Sequence, residues 1–123
     1  MGDIQTGSCH CGKVQFEIDL DQGFLALNRC DCSLCRRRGT IMGGIPLDKF
    51  KLIAGADHLV LYQWHAKIAK HYFCQTCGVY THHQRRSDPT QYGVNIGCID
   101  GVNPFALTDV PVSHGTSESH FNP

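Results

Sequence analysis

Eight cysteines fall into four groups along this chain of 123 residues, and their grouping constrains it more than any other feature. They stand as Cys9 and Cys11; Cys30, Cys32 and Cys35; Cys74 and Cys77; and Cys98 alone. Seven of the eight sit at metal-ligand spacing. A disulfide scaffold usually carries a higher cysteine share, about 8–10% or more, in a short secreted chain. Here the opening stretch Met-Gly-Asp-Ile-Gln-Thr-Gly-Ser has neither a basic n-region nor an apolar h-region, so no secretory signal is expected. A cytoplasmic, reducing setting is therefore expected, where such clusters bind metal or act in catalysis. Zinc is the expectation and disulfides are the alternative.

The segment Cys74-Gln-Thr-Cys77-Gly78 has the form of a knuckle. Two cysteines three apart on a tight turn can aim both sulfurs at one ion, and Gly78 relieves the backbone where it tightens. A redox pair is the other reading of C-x-x-C, but no βαβ pattern surrounds it. Cys9-His10-Cys11-Gly12 ends in the same Cys-Gly step. On extended backbone, residues i and i+2 share a face, so both sulfurs can reach one ion while His10 points away. His10 as a ligand is the alternative. Four thiolates from the two pairs would close a tetrahedral structural zinc, with Zn–S about 2.3 Å.

Cys30-Asp31-Cys32-Ser33-Leu34-Cys35 places three thiols within six residues. Three ligands with an open position is the arrangement of a catalytic zinc. A fourth protein ligand, His82 or His83, would instead close a second structural site. Three thiolates leave the zinc with net negative charge. Such an ion is a poor Lewis acid and a poor source of hydroxide, but it suits an exchanging thiol. The chemistry indicated is that of thiols, not hydrolysis. Arg36, Arg37 and Arg38 follow at once. They are either a solvated face or groups that offset thiolate charge and hold the carboxylates of an anionic substrate, with Arg36 and Arg37 as the candidate binding pair. A short helix over Ser33–Arg38, capped by Ser33 and stopped by Gly39, would put Cys35 in its first turn, where free N–H groups favour thiolate.

The remaining pattern is of short strands and turns. From Lys13 to Leu20, Val14, Phe16, Ile18 and Leu20 alternate with polar residues, a half-buried strand. Strands are also expected over Phe24–Asn28, Thr40–Ile45, Ile68–Phe73, Val79–His83 and Tyr92–Ile99, with a helical turn at Leu47–Phe50. Lys51–Ala54 and Leu59–His65 flank a Gly-Ala-Asp turn and read as a hairpin. The class is mainly β, a small sheet domain whose core gains from metal staples.

C-x-C-G near the start, C-x-C-x-x-C some twenty residues on, F-C-x-x-C-G, and a later N-I-G-C-I-D resemble the glutathione-dependent formaldehyde-activating enzyme family, to which centromere protein V also belongs. The resemblance runs from about Gly7 to Gly101. It implies one zinc-stapled β-sheet domain over 1–123, of the Mss-four-like kind. It implies a structural zinc on Cys9, Cys11, Cys74 and Cys77 and a labile, catalytic one on Cys30, Cys32 and Cys35. It also implies the named activity, condensation of formaldehyde with glutathione, formally a carbon–sulfur lyase reaction in reverse. The chain departs from the family in being much shorter than the named enzyme, and in having Cys98 where Thr or another small residue is expected. A non-catalytic scaffold held by two structural zincs is the alternative function.

Other classes are excluded by charge and hydropathy. Lys+Arg is 11 and Asp+Glu is 11, so no net field favours nucleic acid or an anionic membrane. No apolar run approaches the ~18 residues of a membrane span. Gly2 formally fits a myristoylation pattern, but no polybasic patch follows. Cys98 reads as a small buried hydrophobe. Its alternative is a redox nucleophile, since methionine-R-sulfoxide reductases resemble such a fold and use a strand cysteine. His82 and His83, adjacent on a strand, point to opposite faces and read as ordinary polar or surface residues; the alternative is that one of them lines a cavity as a proton carrier. Trp64, Tyr62, Tyr72 and Phe73 read as core and sheet packing, Asp100 as a turn residue, and the tail Pro111–Pro123 as polar and irregular.

Overall fold

In a computed structural model that describes residues 3–64 and 66–113, the alternation beginning at Val14 becomes a strand whose inward side chains are sealed. Val14, Phe16 and Ile18 are all buried. The strands are β1 (Ile4–Ser8), β2 (Gln15–Asp19), β3 (Ala26–Cys30), β4 (Met42–Pro46) and β5 (Phe50–Ala54). They continue with β6 (Leu59–Tyr62), β7 (Lys70–Cys74), β8 (Tyr80–Gln84), β9 (Gln91–Asn95) and β10 (Val112–Ser113). A four-residue helix, α1 (Cys35–Arg38), lies between β3 and β4 and ends at Gly39. Residues 1, 2, 65 and 114–123, which include Gly2, the end of the second expected hairpin strand and most of the polar tail, lie outside the described residues.

The strands form two sheets. Three pair in the order β1-β2-β5, and seven in the order β10-β3-β4-β9-β8-β7-β6. All pairings are antiparallel except β10 with β3. The smaller sheet lays Phe16 and Ile18 against Ile45, Val94 and Ile96 of the larger sheet and its following turn, and these share one buried cluster. Phe50 stacks on Phe16 at 5.1 Å and lies tilted against His82 at 4.4 Å between ring centroids, tying the two layers together. A second cluster joins Val14 to Cys9 and Cys74, with Leu52 and Leu59 against it. The first cysteine group is thus part of the packing between sheets.

Local pattern and tertiary structure part company at four places. The expected hairpin of Lys51–Ala54 with the strand beginning at Leu59 does not form: β5 pairs with β2, and β6 pairs with β7. Leu52 and Leu59 both pack on the Cys9–Val14–Cys74 cluster, so the turn after β5 carries the chain from one sheet to the other. The helix starts at Cys35, and Leu34, not Ser33, holds the N-cap position. The Cys35 N–H is taken by the Cys32 sulfur at 3.3 Å, so a thiol serves where a hydroxyl was expected. The last strand stops at Asn95, whose side chain accepts the Gly97 N–H and turns the chain into a 3₁₀ turn, Ile96–Cys98. The first strand, Ile-Gln-Thr-Gly-Ser, has no alternation to announce it. It is an edge strand in which Gly7 leaves room for the Phe16 ring; a Cβ there would lie 2.4 Å from Phe16 Cζ.

Candidate active site

The first cysteine group is built by two tight turns facing each other. Cys9 and Cys11 follow β1, Cys74 ends β7, and Cys77 lies in the turn before β8. Their four sulfurs all lie within 4.8 Å of one another. Cys11 Sγ is 3.6 Å from Cys9 Sγ and 3.7 Å from Cys74 Sγ. The N–H of Val14 points at Cys9 Sγ at 3.4 Å, and that of Thr76 at Cys74 Sγ at 3.3 Å. Such donors stabilise thiolate over thiol. Gly12 and Gly78, each after the second cysteine of its pair, have φ of +80° and +77°, which only glycine adopts without strain. Desolvation pushes the Cys77 thiol up, but N–H groups of Val79 and Cys11 and the sulfurs of Cys9 and Cys74 outweigh it and bring it to about 6. His10 is exposed and does not join the group.

The second group spans the end of β3 and the start of α1. The sulfurs of Cys30, Cys32 and Cys35 all lie within 4.8 Å of one another, and among the described residues no histidine or carboxylate completes a fourth corner. Cys32 is the natural thiolate of the three. The Cys30 and Cys35 sulfurs donate to it, the backbone N–H groups of Cys35 and Leu34 add to them, and its pKa sits at about 2. The same sharing pushes Cys30 and Cys35 up. All three border a cavity of about 430 Å³ between the larger sheet and the segment around Trp64. The three-cysteine group opens on this space; the four-cysteine group does not border it, and of its sulfurs' residues Cys9 and Cys74 are buried while Cys11 is exposed.

The opposite wall of the cavity is made by β7 and β8. His71 and His83 are register partners on these strands, and both line the cavity with their rings stacked at 5.3 Å. A β-bulge sets this wall. Tyr72 pairs with His82 but Phe73 pairs with Tyr80, so Thr81 is the extra residue. The bulge shifts the alternation and brings Tyr80 and His83, three residues apart, to one side, where the Tyr80 hydroxyl meets His83 Nδ1 at 2.5 Å. Arg38, from α1, lies over the Tyr80 ring at 3.7 Å and reaches His71 Nδ1 at 3.4 Å. His82 faces the other way, among Phe50, Tyr72 and Tyr92. Burial pushes His82 down to about 4. Burial, then Arg38, holds His71 at about 4. Burial, then the neighbouring His71, Arg85 and Arg38, holds His83 at about 3.

Arg36 and Arg37 are exposed and do not line the cavity, and Arg37 donates from Nη1 to the Ser33 carbonyl at 2.7 Å. The arginines that do line it are Arg85 and Arg86, just beyond β8. Arg85 is held by Gln91, Nη1 to Oε1 at 2.8 Å. Its signal was present in the sequence, since Arg85 stands two residues after His83 and so on the same side of an extended chain. His71 carried no such mark, because only its pairing with β8 brings it to the site. Trp64, expected in the core, is on the cavity wall. Cys98 lies in the main core, with its thiol directed at the Tyr80 carbonyl at 3.6 Å. Burial pushes it up to about 12, which suits a small hydrophobe and not a nucleophile.

Comparison with known proteins gives a consistent result. Residues 4–110 match the family model described as glutathione-dependent formaldehyde-activating enzyme. A Talaromyces marneffei protein named "Putative glutathione-dependent formaldehyde-activating enzyme" is 32% identical over 76 residues, which is 58% of this chain and 40% of that protein. A Halomonas elongata protein of the same name is 36% identical over 86 residues, 60% of this chain and 52% of that protein. The chain therefore spans about half or less of the length of these curated relatives. The crystal structure of a Rhodobacter sphaeroides protein, determined by structural genomics, is 52% identical with a TM-score of 0.83, covering 88% of this chain and 99% of that one.

Proposed function

The chain belongs to the glutathione-dependent formaldehyde-activating enzyme family, and on that premise we propose that it joins a thiol of the glutathione kind to a small aldehyde, with formaldehyde as the first candidate. The product is an S-hydroxymethyl thioether alcohol, and the reaction is that of a carbon–sulfur lyase run in reverse. The observation that carries this reading is the opening of three clustered sulfurs onto a cavity of about 430 Å³.

The donor sets fit zinc. Cys9, Cys11, Cys74 and Cys77 offer four sulfurs, a complete tetrahedral set that would staple the two sheets. Cys30, Cys32 and Cys35 offer three and would leave one position for the cavity. Zinc bound there would supply a soft site that prefers a substrate sulfur to water or carboxylate. The chain's own residues do the rest. The cavity brings thiolate and aldehyde together, and proximity is the main gain because thiols add to aldehydes unaided. The sulfur attacks the carbonyl carbon, a carbon–sulfur bond forms, and the carbonyl π pair moves to oxygen, which then takes a proton from water. Arg85 and Arg86 take the anion-binding role that the sequence suggested for Arg36 and Arg37, because they border the cavity. Seven thiols at ligand spacing fit a reducing compartment such as the cytoplasm.

Cobalt substitution tests this reading, because cobalt–thiolate bands report ligand number and type. Titrating glutathione into the cobalt-loaded chain is expected to change the bands of one site and spare the other. Two closed four-ligand sites, or bands that no small thiol moves, would replace the enzyme with a non-catalytic zinc-stapled binding module. Among the described residues no helix is long and apolar enough to cross a membrane.

A further inference from the structure

His71 and His83 face the same cavity as the three cysteines, on neighbouring strands, with stacked rings 5.3 Å apart. The hydrogen bond made by each Nδ1 settles where each ring carries its proton. Arg38 Nη1, 3.4 Å from His71 Nδ1, can only donate, so that Nδ1 accepts. The Tyr80 hydroxyl, 2.5 Å from His83 Nδ1, has no other acceptor among the described residues, so it donates as well. Both rings are thereby set with the proton on Nε2. Among the described residues neither Nε2 meets a partner, and none of their buried polar side-chain atoms lacks one. The two Nε2–H groups are therefore open to solvent space, and the space that both rings border is the cavity.

We propose that His71 and His83 form a two-donor site whose Nε2–H groups receive the aldehyde oxygen as the thiol adds and that oxygen becomes an alkoxide. The inference rests on the reaction proposed above and names the groups that stabilise its developing charge. Donors fixed before the reaction act without reorganisation at the moment charge appears. No bond to either ring forms or breaks; the alkoxide takes its proton from water. The fold invests in this placement. The bulge at Thr81 brings Tyr80 beneath His83. Gly93 on the adjacent strand leaves the ring its room, since a Cβ there would lie 2.4 Å from His83 Cε1. Tyr80 and Arg38 are positioning residues: they fix the tautomers and touch no substrate.

Long-range ¹H–¹⁵N spectra of the zinc-loaded full chain, with turnover measured alongside, test the proposal. At neutral pH both rings are expected as Nε2–H tautomers. A mixture of glutathione and formaldehyde, which contains the adduct, should shift both Nε2 signals further than glutathione alone. His83→Leu should lower kcat by about 10²-fold, the scale of losing one such donor, with KM for the thiol changed by less than twofold. His83→Gln, which restores an N–H near the same point, should recover part of the loss. Tyr80→Phe should mix the His83 tautomers, which a merely structural role would not do. Either ring found as the Nδ1–H tautomer overturns the proposal in the wild-type chain, whether or not the variants fold. So does an adduct that shifts neither ring beyond glutathione alone, or full kcat in both His71→Leu and His83→Leu. If the tautomers and adduct shifts hold but the wild type shows no turnover, the donor pair stands and the reaction assigned above falls.

Discussion

Cys9 and Cys11 follow β1 while Cys74 and Cys77 lie at the end of β7 and in the turn beyond it, so their group joins two distant turns, whereas Cys30, Cys32 and Cys35 share one short segment on a cavity wall. The same substitution should therefore act differently in the two groups. Cys77→Ser removes a sulfur from a four-ligand set that ties β1 and β2 to β7 and β8. Structural zinc contributes on the order of 10 kcal/mol to small domains, so the variant is expected to be insoluble or unfolded. Cys32→Ser is expected to stay folded, with native-like thermal unfolding but one zinc fewer per chain, because its group lies on a single six-residue segment. A folded Cys77→Ser, or a Cys32→Ser chain that unfolds as badly, would sink the division into structural and open sites. His82 gives a second test at this scale. Its pKa is about 4 when folded and its ordinary value is 6.5, so the unfolded chain binds the proton first. Stability is full above about pH 6.5 and is lost as pH falls toward about 4. His82→Phe removes that one proton. It should flatten the fall in unfolding free energy, measured in urea between pH 6.5 and 5, by at most about 1.4 kcal/mol per pH unit. Unchanged pH dependence would show that His82 does not titrate in this range.

Single elements owe their role to small departures from regularity. The turn after β7 is a tight five-residue link in which the Thr76 N–H points at sulfur, and the turn after β1 repeats the plan with one residue fewer between cysteines. In β8, one inserted residue brings Tyr80 to the same side as His83, which lines the cavity, while His82 packs behind. β9 completes the arrangement by presenting Gly93 to the His83 ring. Gly93→Ala should therefore act on the site more than on the fold. The added methyl must push a ring that Tyr80 holds in place, and overpacking of this kind costs about 1–3 kcal/mol. The expected outcome is a folded chain with unchanged zinc content, displaced His83 resonances and lowered kcat. Native His83 signals in Gly93→Ala would show that the ring has room the close contact denies.

At the scale of the molecule, two of the joints between the sheets are the four-cysteine group at one end and the packed rings of Phe16, Phe50 and His82 between the layers. The cavity lies wholly on the larger sheet and its flanking segments, away from the second joint. Phe16 is 1% exposed and belongs to the main core. Phe16→Ala should cost about 3–5 kcal/mol, a large part of the 5–15 kcal/mol ordinary for a domain of about this size. Urea unfolding of the zinc-loaded chain measures it. A loss under about 1 kcal/mol would mean that other contacts, the four-cysteine group among them, carry the packing between sheets.

The cysteine pairs and the triplet were legible in the sequence, because spacing is a local property: two cysteines on one short turn meet wherever that turn is placed, though only the fold brings Cys9 and Cys11 to Cys74 and Cys77. The sequence by itself also determined the strand at Val14–Ile18, the knuckle between β7 and β8 and the stop at Gly39, each written in alternation or in a turn residue a few positions away. What required the tertiary structure was every contact made across long separations. The hairpin expected around the Gly-Ala-Asp turn failed because burial of Leu52 and Leu59 on the cluster between the sheets outweighed the local turn signal. Arg36 and Arg37 sat beside the cysteines in sequence but not in the cavity, since a helix of one turn sends successive side chains in different directions. Arg38 pointed inward, and Arg85 and Arg86 arrived from β8. His71 came to the site only through its register with His83, and Tyr80 only through a bulge that breaks the period-two rule on which any strand reading depends. Pairing and bulges are settled by which side chains the whole core can bury, and no window of a few residues contains that information.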